Sequence, residues 1–306
     1  VLLGFDDDLN PGGGHAGNAV SDVPIILYVD TEPGSGKTTY SYTLIWSNED
    51  GGTGYFPEVL MAQWGRPHDI ETILQVEVSD SGQVLSMRYR IDENGTWPDF
   101  TGAFQGSHPV LRTRTKNGLI SDDGDSKLRF AIYPFSYDES VGAHQRALML
   151  DPVSYRVGAK ELVRENKTES MARPSTTMPS DLRNYLFLEL DIDVSIGGFV
   201  VRGYAVVDGQ TYLSDHGVPG GYVLPGVDSL SLRVPDGKRQ ISIELPEGTT
   251  LDDISEFGLQ GIGLMSGTMY YLDGFMLGPD YFPGAHSIFE GALYATGLSP
   301  VWAVSP

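Results

Sequence analysis

A chain of 306 residues with 41 acidic against 20 basic side chains carries a formal net charge of −21. That field repels nucleic-acid phosphates and anionic membranes, which excludes nucleic acid as a partner. The absence of cysteine removes disulfides, thiolate catalysis, cysteine-ligated zinc and iron–sulfur chemistry together. A hydrophobic fraction of 40%, with no apolar run near the ~20 residues that span a bilayer, indicates one or two globular domains and no membrane span.

The first residues, Val1-Leu2-Leu3-Gly4 followed by Asp6-Asp7-Asp8, lack an initiator methionine and a basic leader, the expected form of an end processed after export. Strong acidity is best tolerated where salt screens self-repulsion or calcium is abundant, so a secreted or cell-surface location is predicted. Gly12-Gly13-Gly14-His15-Ala16-Gly17 has the spacing of a dinucleotide fingerprint. No βαβ unit follows it and acidic residues stand beside it, so a glycine-rich lead-in and no nucleotide cofactor are expected.

From residue 24 onward, alternation with period two sets the fold class. Strands are predicted at 24–30, 40–47, 71–79, 83–91, 110–115 and 127–133, the third and fourth joined by the turn Asp80-Ser81-Gly82. Gly34-Ser35-Gly36-Lys37-Thr38-Thr39 resembles the end of a phosphate-binding loop, but Thr31 stands where that motif needs glycine. An alternating strand also follows where the motif needs a helix, so a hairpin turn is predicted. Helical patterning is confined to 143–150 and 157–165. The stretch 166–180, rich in Ser, Thr, Pro and Lys, reads as a linker or long loop. Beyond it strands are predicted at 184–194, 199–207, 229–234, 239–245, 257–264 and 268–277, with turns at Val207-Asp208-Gly209 and Pro235-Asp236-Gly237. The whole predicts an all-β protein of jelly-roll or β-sandwich type: an N-terminal sandwich over 1–165 and a C-terminal one over 181–306, with a few short helices.

Few residues are spaced for chemistry. The six histidines form no H-x-H or H-x-x-x-H pair, and His68-Asp69 and Asp215-His216 are sequence neighbours, which directs their side chains to opposite faces of a strand. No G-x-S-x-G elbow is present. Asp122-Asp123-Gly124-Asp125 gathers three carboxylates round a turn, making Asp122, Asp123 and Asp125 the candidate calcium ligands. Asp6-Asp7-Asp8 and Asp252-Asp253 are lesser candidates. Asn94-Gly95-Thr96 and Asn166-Lys167-Thr168 have the form of glycosylation acceptors.

Glu189-Leu190-Asp191-Ile192-Asp193 places three carboxylates on one strand face and two apolar side chains on the other. Alternate Cα atoms are ~7 Å apart, so such carboxylates could divide the roles of glycoside hydrolysis. The run resembles the E-x-D-x-E strand of laminarinase- and lichenase-type β-jelly-roll glycosidases. That resemblance implies a nucleophile at Glu189, an assisting carboxylate at Asp191 and the acid/base at Asp193, where the family has Glu. The segments 253–260 and 267–277 are similar to the closing strands of galactose-binding-like carbohydrate-binding jelly rolls, in which two such strands pair; this implies fold more than function.

The supply of 16 tyrosines and 4 tryptophans suits sugar stacking, with Trp64 and Trp97 as candidates. The expectation is an exported, calcium-assisted β protein that binds, and in an enzymatic version cleaves, an extracellular polysaccharide. The alternative from another class is a self-associating structural subunit of a filament, coat or appendage, without catalysis.

Overall fold

A computed structural model describes residues 2–4, 23–48, 57–92, 95–114, 118–123, 129–136, 152–170, 178–194, 200–217 and 239–306. The chain divides into two compact units, Val1–Thr53 with His68–Ala147 and Gly54–Pro67 with Leu148–Pro306. Both are built from β-sheet, as the period-two alternation requires.

Unit 1 contains β1 (Leu2–Gly4), β2 (Pro24–Gly34), β3 (Lys37–Trp46), β4 (Ile70–Ser79), β5 (Val84–Tyr89), β6 (Phe104–Gln105), β7 (His108–Thr113), β8 (Ile120–Ser121), β9 (Arg129–Ala131) and β10 (Pro134–Ser136). One sheet has the order β10-β2-β3-β4-β5; the other runs β6-β7-β1-β9, with β8 also on β7. Leu27, Leu44, Trp46, Ile73, Leu74, Leu111 and Ile120 form a buried cluster, each contributing on the order of 1.5–3 kcal/mol through burial. The loop that resembles a phosphate-binding motif is the β2–β3 hairpin turn. Gly36 there has φ +76°, a conformation glycine adopts without strain, and Lys37 is paired with Glu77 rather than poised over a ligand. The β4–β5 hairpin closes at the expected Asp80-Ser81-Gly82.

Unit 2 contains α1 (Pro57–Trp64), α2 (Pro152–Arg164), β11 (Tyr185–Val194), β12 (Val200–Val207), β13 (Gln210–Leu213), β14 (Arg239–Glu244), β15 (Ile254–Ile262), β16 (Leu264–Leu277), β17 (Pro283–Leu298) and β18 (Val301–Val304). Its strands form two four-stranded antiparallel sheets, ordered β14-β11-β16-β17 and β13-β12-β15-β18. Leu186, Leu188, Leu190 and Ile192 of β11 enter one buried cluster with Ala205, Phe257, Leu259, Met265, Met269, Leu272 and Trp302. This is the core of a β-sandwich. β15 and β18 approach so closely that a Cβ on Gly258 would lie 2.0 Å from the Trp302 carbonyl oxygen. The β12–β13 hairpin turns at Asp208 (φ +51°) and Gly209 (φ +74°), the paired left-handed conformation that Asp-Gly favours.

Several expectations change in detail. The helix predicted over 157–165 begins at Pro152, a residue suited to a first helical position because its missing N–H has no partner to lose there. It belongs to unit 2, whereas the 1–165 division assigned it to the N-terminal part. The short helix α1 and the strands β17 and β18 were not predicted. Ile254–Ile262 and Leu264–Leu277 do not pair with each other: they lie in opposite sheets, joined at Gly263 (φ +98°). The ends of the 166–180 segment meet in a bridge between Glu169 and Ser180. The strand at 229–234, the helix at 143–150, the turn at 235–237, and residues 6–8, 12–17, 94, 125 and 171–177 lie outside the described residues.

Candidate functional site

With Leu188, Leu190 and Ile192 directed into the sandwich, Glu189, Asp191 and Asp193 face outward, as alternation predicts. Pairing decides what stands beside them. Phe187 lies opposite Ser242 on one side and Phe275 on the other, and Phe275 lies opposite His286. In the next row Glu189 is flanked by Gln240 and Asp273, with Ile288 beyond. Asp191 follows beside Tyr271, which pairs with Glu290; Asp193 lies beside Thr268, which pairs with Tyr294.

Helices α1 and α2 cover the first part of this face. The Tyr155 ring of α2 packs edge-on against Phe187 and Phe275, at 5.1 and 5.7 Å between centroids. Phe187 and Phe275 are themselves stacked at 5.5 Å. The Gln240 amide donates to the Tyr155 hydroxyl, and the Ser242 hydroxyl donates to the Met61 carbonyl of α1 at 2.9 Å. These polar groups on an otherwise apolar seam fix where the helices sit, since a buried amide without a partner costs about 1–3 kcal/mol.

The covered part ends in a carboxylate pair. Glu189 and Asp273 are 8% and 5% exposed, side by side on one face. Asp273 accepts a hydrogen bond from the His286 ring at 2.7 Å through Oδ2, while no donor among the described residues reaches its buried Oδ1. The electrostatic consequence falls on neighbouring phenols. Burial, then the charges of Glu189, Asp273 and Glu290, push the Tyr271 hydroxyl up to about 12. Tyr155 is raised further, chiefly by complete burial and then by the same two carboxylates.

Beyond Glu189 the face opens. Asp191 is half-buried, Asp193 and Glu290 are exposed, and Tyr294 is 62% exposed. The three carboxylates of the E-x-D-x-D run thus occupy a gradient from covered to open. They do not converge on one point, because residues 189 and 193 stand ~13 Å apart along the strand.

The other sequence candidates lie on other elements. Trp64 is the half-buried last residue of α1 in unit 2; Trp97 is half-buried in the connection after β5 in unit 1. Asp122 accepts hydrogen bonds from the Tyr89 hydroxyl at 2.8 Å and from the Thr101 backbone at 2.6 Å. Against burial, which raises it, these donors hold the Asp122 carboxyl below its ordinary value. Asp123 takes a hydrogen bond from Ser121 and lies 3.6 Å from the Arg112 guanidinium. Both therefore serve protein donors. Asp253 caps a 3-10 turn by accepting from the Thr250 backbone and hydroxyl. Among the described residues no group of three or more His, Asp or Glu is placed to hold a metal ion. His68 is buried with Nδ1 2.7 Å from the Ser47 carbonyl, a core histidine.

Comparison with known proteins gives no matching family, no matching curated protein and no matching solved structure. Function therefore rests on the chemistry of the site.

The residues that sequence reasoning did not single out, Asp273, Tyr271, Glu290 and Tyr294, come from strands β16 and β17. Nothing in their local pattern marks them, because their adjacency to β11 is created by strand register.

Proposed function

We propose that this protein is an exported binder of an uncharged extracellular polysaccharide, held on the open half of the β11–β16–β17 face. The observation that carries the reading is the register that places Asp191, Asp193 and Glu290 on one face with Tyr271 and Tyr294. A flat tyrosine ring offers an apolar surface for sugar C–H groups. Carboxylates beside it accept charge-assisted hydrogen bonds from hydroxyl groups. The same carboxylates, in a molecule of charge −21, repel uronates and sulfated polymers.

Binding is favoured over cleavage. Hydrolysis needs two carboxyl groups about 5–9.5 Å apart across an accessible bond, and Glu189, the residue matching a nucleophile, is 8% exposed on the helix-covered part of the face. In this reading the glycan hydroxyl groups are held by the carboxylates directly and without calcium; Asp122 and Asp123, the candidate calcium ligands, serve protein donors.

The test is affinity electrophoresis against neutral and anionic polysaccharides, each with calcium and with EDTA. Retardation by a neutral glycan, unchanged in EDTA and reduced by Tyr294→Ala, is expected. Retardation by anionic polymers alone, or by none, would overturn the reading.

A further inference from the structure

Among the described residues the sandwich of unit 2 has four edge strands, and one is unlike the rest. β13, β14 and β18 are 4, 6 and 4 residues long, short enough to offer little for another chain to pair with. β17 runs for 16 residues and is bonded, among the described residues, to β16 alone. Its outward residues include Ile288 at 56%, Tyr294 at 62% and Leu298 at 79% exposure, and Leu264, which pairs with Leu298, is 61% exposed. The protections that usually guard a long edge are sparse here. The strand contains no lysine or arginine, no proline after Pro283, and a single carboxylate, Glu290. Its guards are two irregularities in its pairing with β16, between Glu290 and Leu293 and between Pro283 and His286, which leave regular runs at 286–290 and 293–298.

We propose that two copies of this chain associate edge to edge through β17, joining their four-stranded sheets into one eight-stranded sheet. Two considerations identify a second copy as the occupant. The first is charge: molecules of −21 repel one another over most of their surface, and β17 is a nearly neutral strip along which like-charged molecules can meet. A basic partner would be drawn instead to the carboxylate-rich faces. The second is area: β17 spans the 14 residues of β16 at ~3.3 Å each, an edge ~46 Å long and ~10 Å deep, or roughly 900 Å² over two copies, close to the ~1,000 Å² that a specific interface needs.

Antiparallel pairing of identical edges is isologous, with its two-fold axis perpendicular to the sheet. The outer faces of both copies then lie on the same side. Tyr294 and Glu290 of one copy continue into those of the other, and a polymer spanning the seam contacts both at once, with the gain in avidity that linkage brings.

The experiment is sedimentation equilibrium over a wide concentration range without any glycan, so its result is independent of the carbohydrate reading. The wild-type chain is compared with Ile288→Glu/Leu298→Glu and with Val84→Glu/Leu85→Glu, which adds the same charge at exposed residues of β5 in unit 1. A monomer–dimer equilibrium strengthened by salt is expected, weakened about tenfold or more, ~1.4 kcal/mol, by the β17 pair and little changed by the β5 pair. Circular dichroism checks that each variant is folded. A monomer at all concentrations, or a dimer equally sensitive to both pairs or insensitive to the β17 pair, would overturn the proposal.

Discussion

Glu189 of β11 and Asp273 of β16 stand directly opposite each other, both buried, on the helix-covered part of one sheet face. Like charges so placed are unfavourable, and burial prevents water from screening them. Asp273→Asn keeps an acceptor for His286 while removing one charge, and is expected to stabilise the protein by about 0.5–1 kcal/mol at neutral pH in urea denaturation. A destabilised variant would show that the Asp273 charge is needed where it is.

Tyr271 reports the same pair from the alkaline side. Its folded value of about 12 exceeds the ordinary 10.0, so the fold favours the neutral phenol. Stability from this source is fully present below pH 10 and is lost as pH rises through about 12. In Asp273→Asn the phenol should titrate closer to 10, read as the tyrosinate absorbance that disappears in the matching Tyr271→Phe protein. An unchanged titration would mean that burial and the other two carboxylates, and not Asp273, set the shift.

Tyr155 couples helix α2 to the sheet. Tyr155→Phe leaves the Gln240 amide without its hydroxyl partner and should cost about 1–2 kcal/mol. Tyr155→Ala also removes the ring packed on Phe187 and Phe275 and should cost about 3–5 kcal/mol, with faster amide exchange in 152–164. Equal effects of the two substitutions would mean that the ring contacts contribute little.

The open face and the covered face should separate cleanly. Tyr294→Ala and Asp193→Ala are expected to weaken glycan retardation about tenfold each, with unchanged melting, because both residues are exposed. Glu189→Gln should leave retardation within about twofold while altering stability, since its side chain is on the helix-covered part. Loss of binding in Glu189→Gln with the other two silent would move the site to the carboxylate pair.

Asp122 in unit 1 ties Tyr89 and Thr101 together. Asp122→Ala should cost about 1–3 kcal/mol at neutral pH, as a charged acceptor of several hydrogen bonds is lost. Because the folded carboxyl lies below its ordinary 3.8, this contribution is present above that pH and lost as pH falls through the lowered value. The wild-type and variant stabilities should therefore converge in strong acid. A constant difference would assign the effect to packing.

What the sequence determined by itself was local. Alternation placed β11 and directed Glu189, Asp191 and Asp193 to one face. Turn chemistry placed the hairpins at Asp80-Ser81-Gly82 and Asp208-Gly209, and distinguished the Gly34–Lys37 turn from a phosphate loop. These are properties of a few consecutive dihedrals, which nearest neighbours dictate. The edge strand β17 was not legible because both of its faces carry apolar and small residues, so no amphipathic period marks it. Helix α1 spans only eight residues, too few to establish a period.

The tertiary structure alone decided which side chains meet. Asp273 and Tyr271 sit beside β11 because register, a property of two strands far apart in sequence, sets them there. The same register, with the docking of α1 and α2, divides three equivalent-looking carboxylates into a buried one, a half-buried one and an exposed one. Burial belongs to the assembled layers and not to the strand, and for that reason the chemistry of Glu189 and that of Asp193 differ although their sequence surroundings are nearly the same.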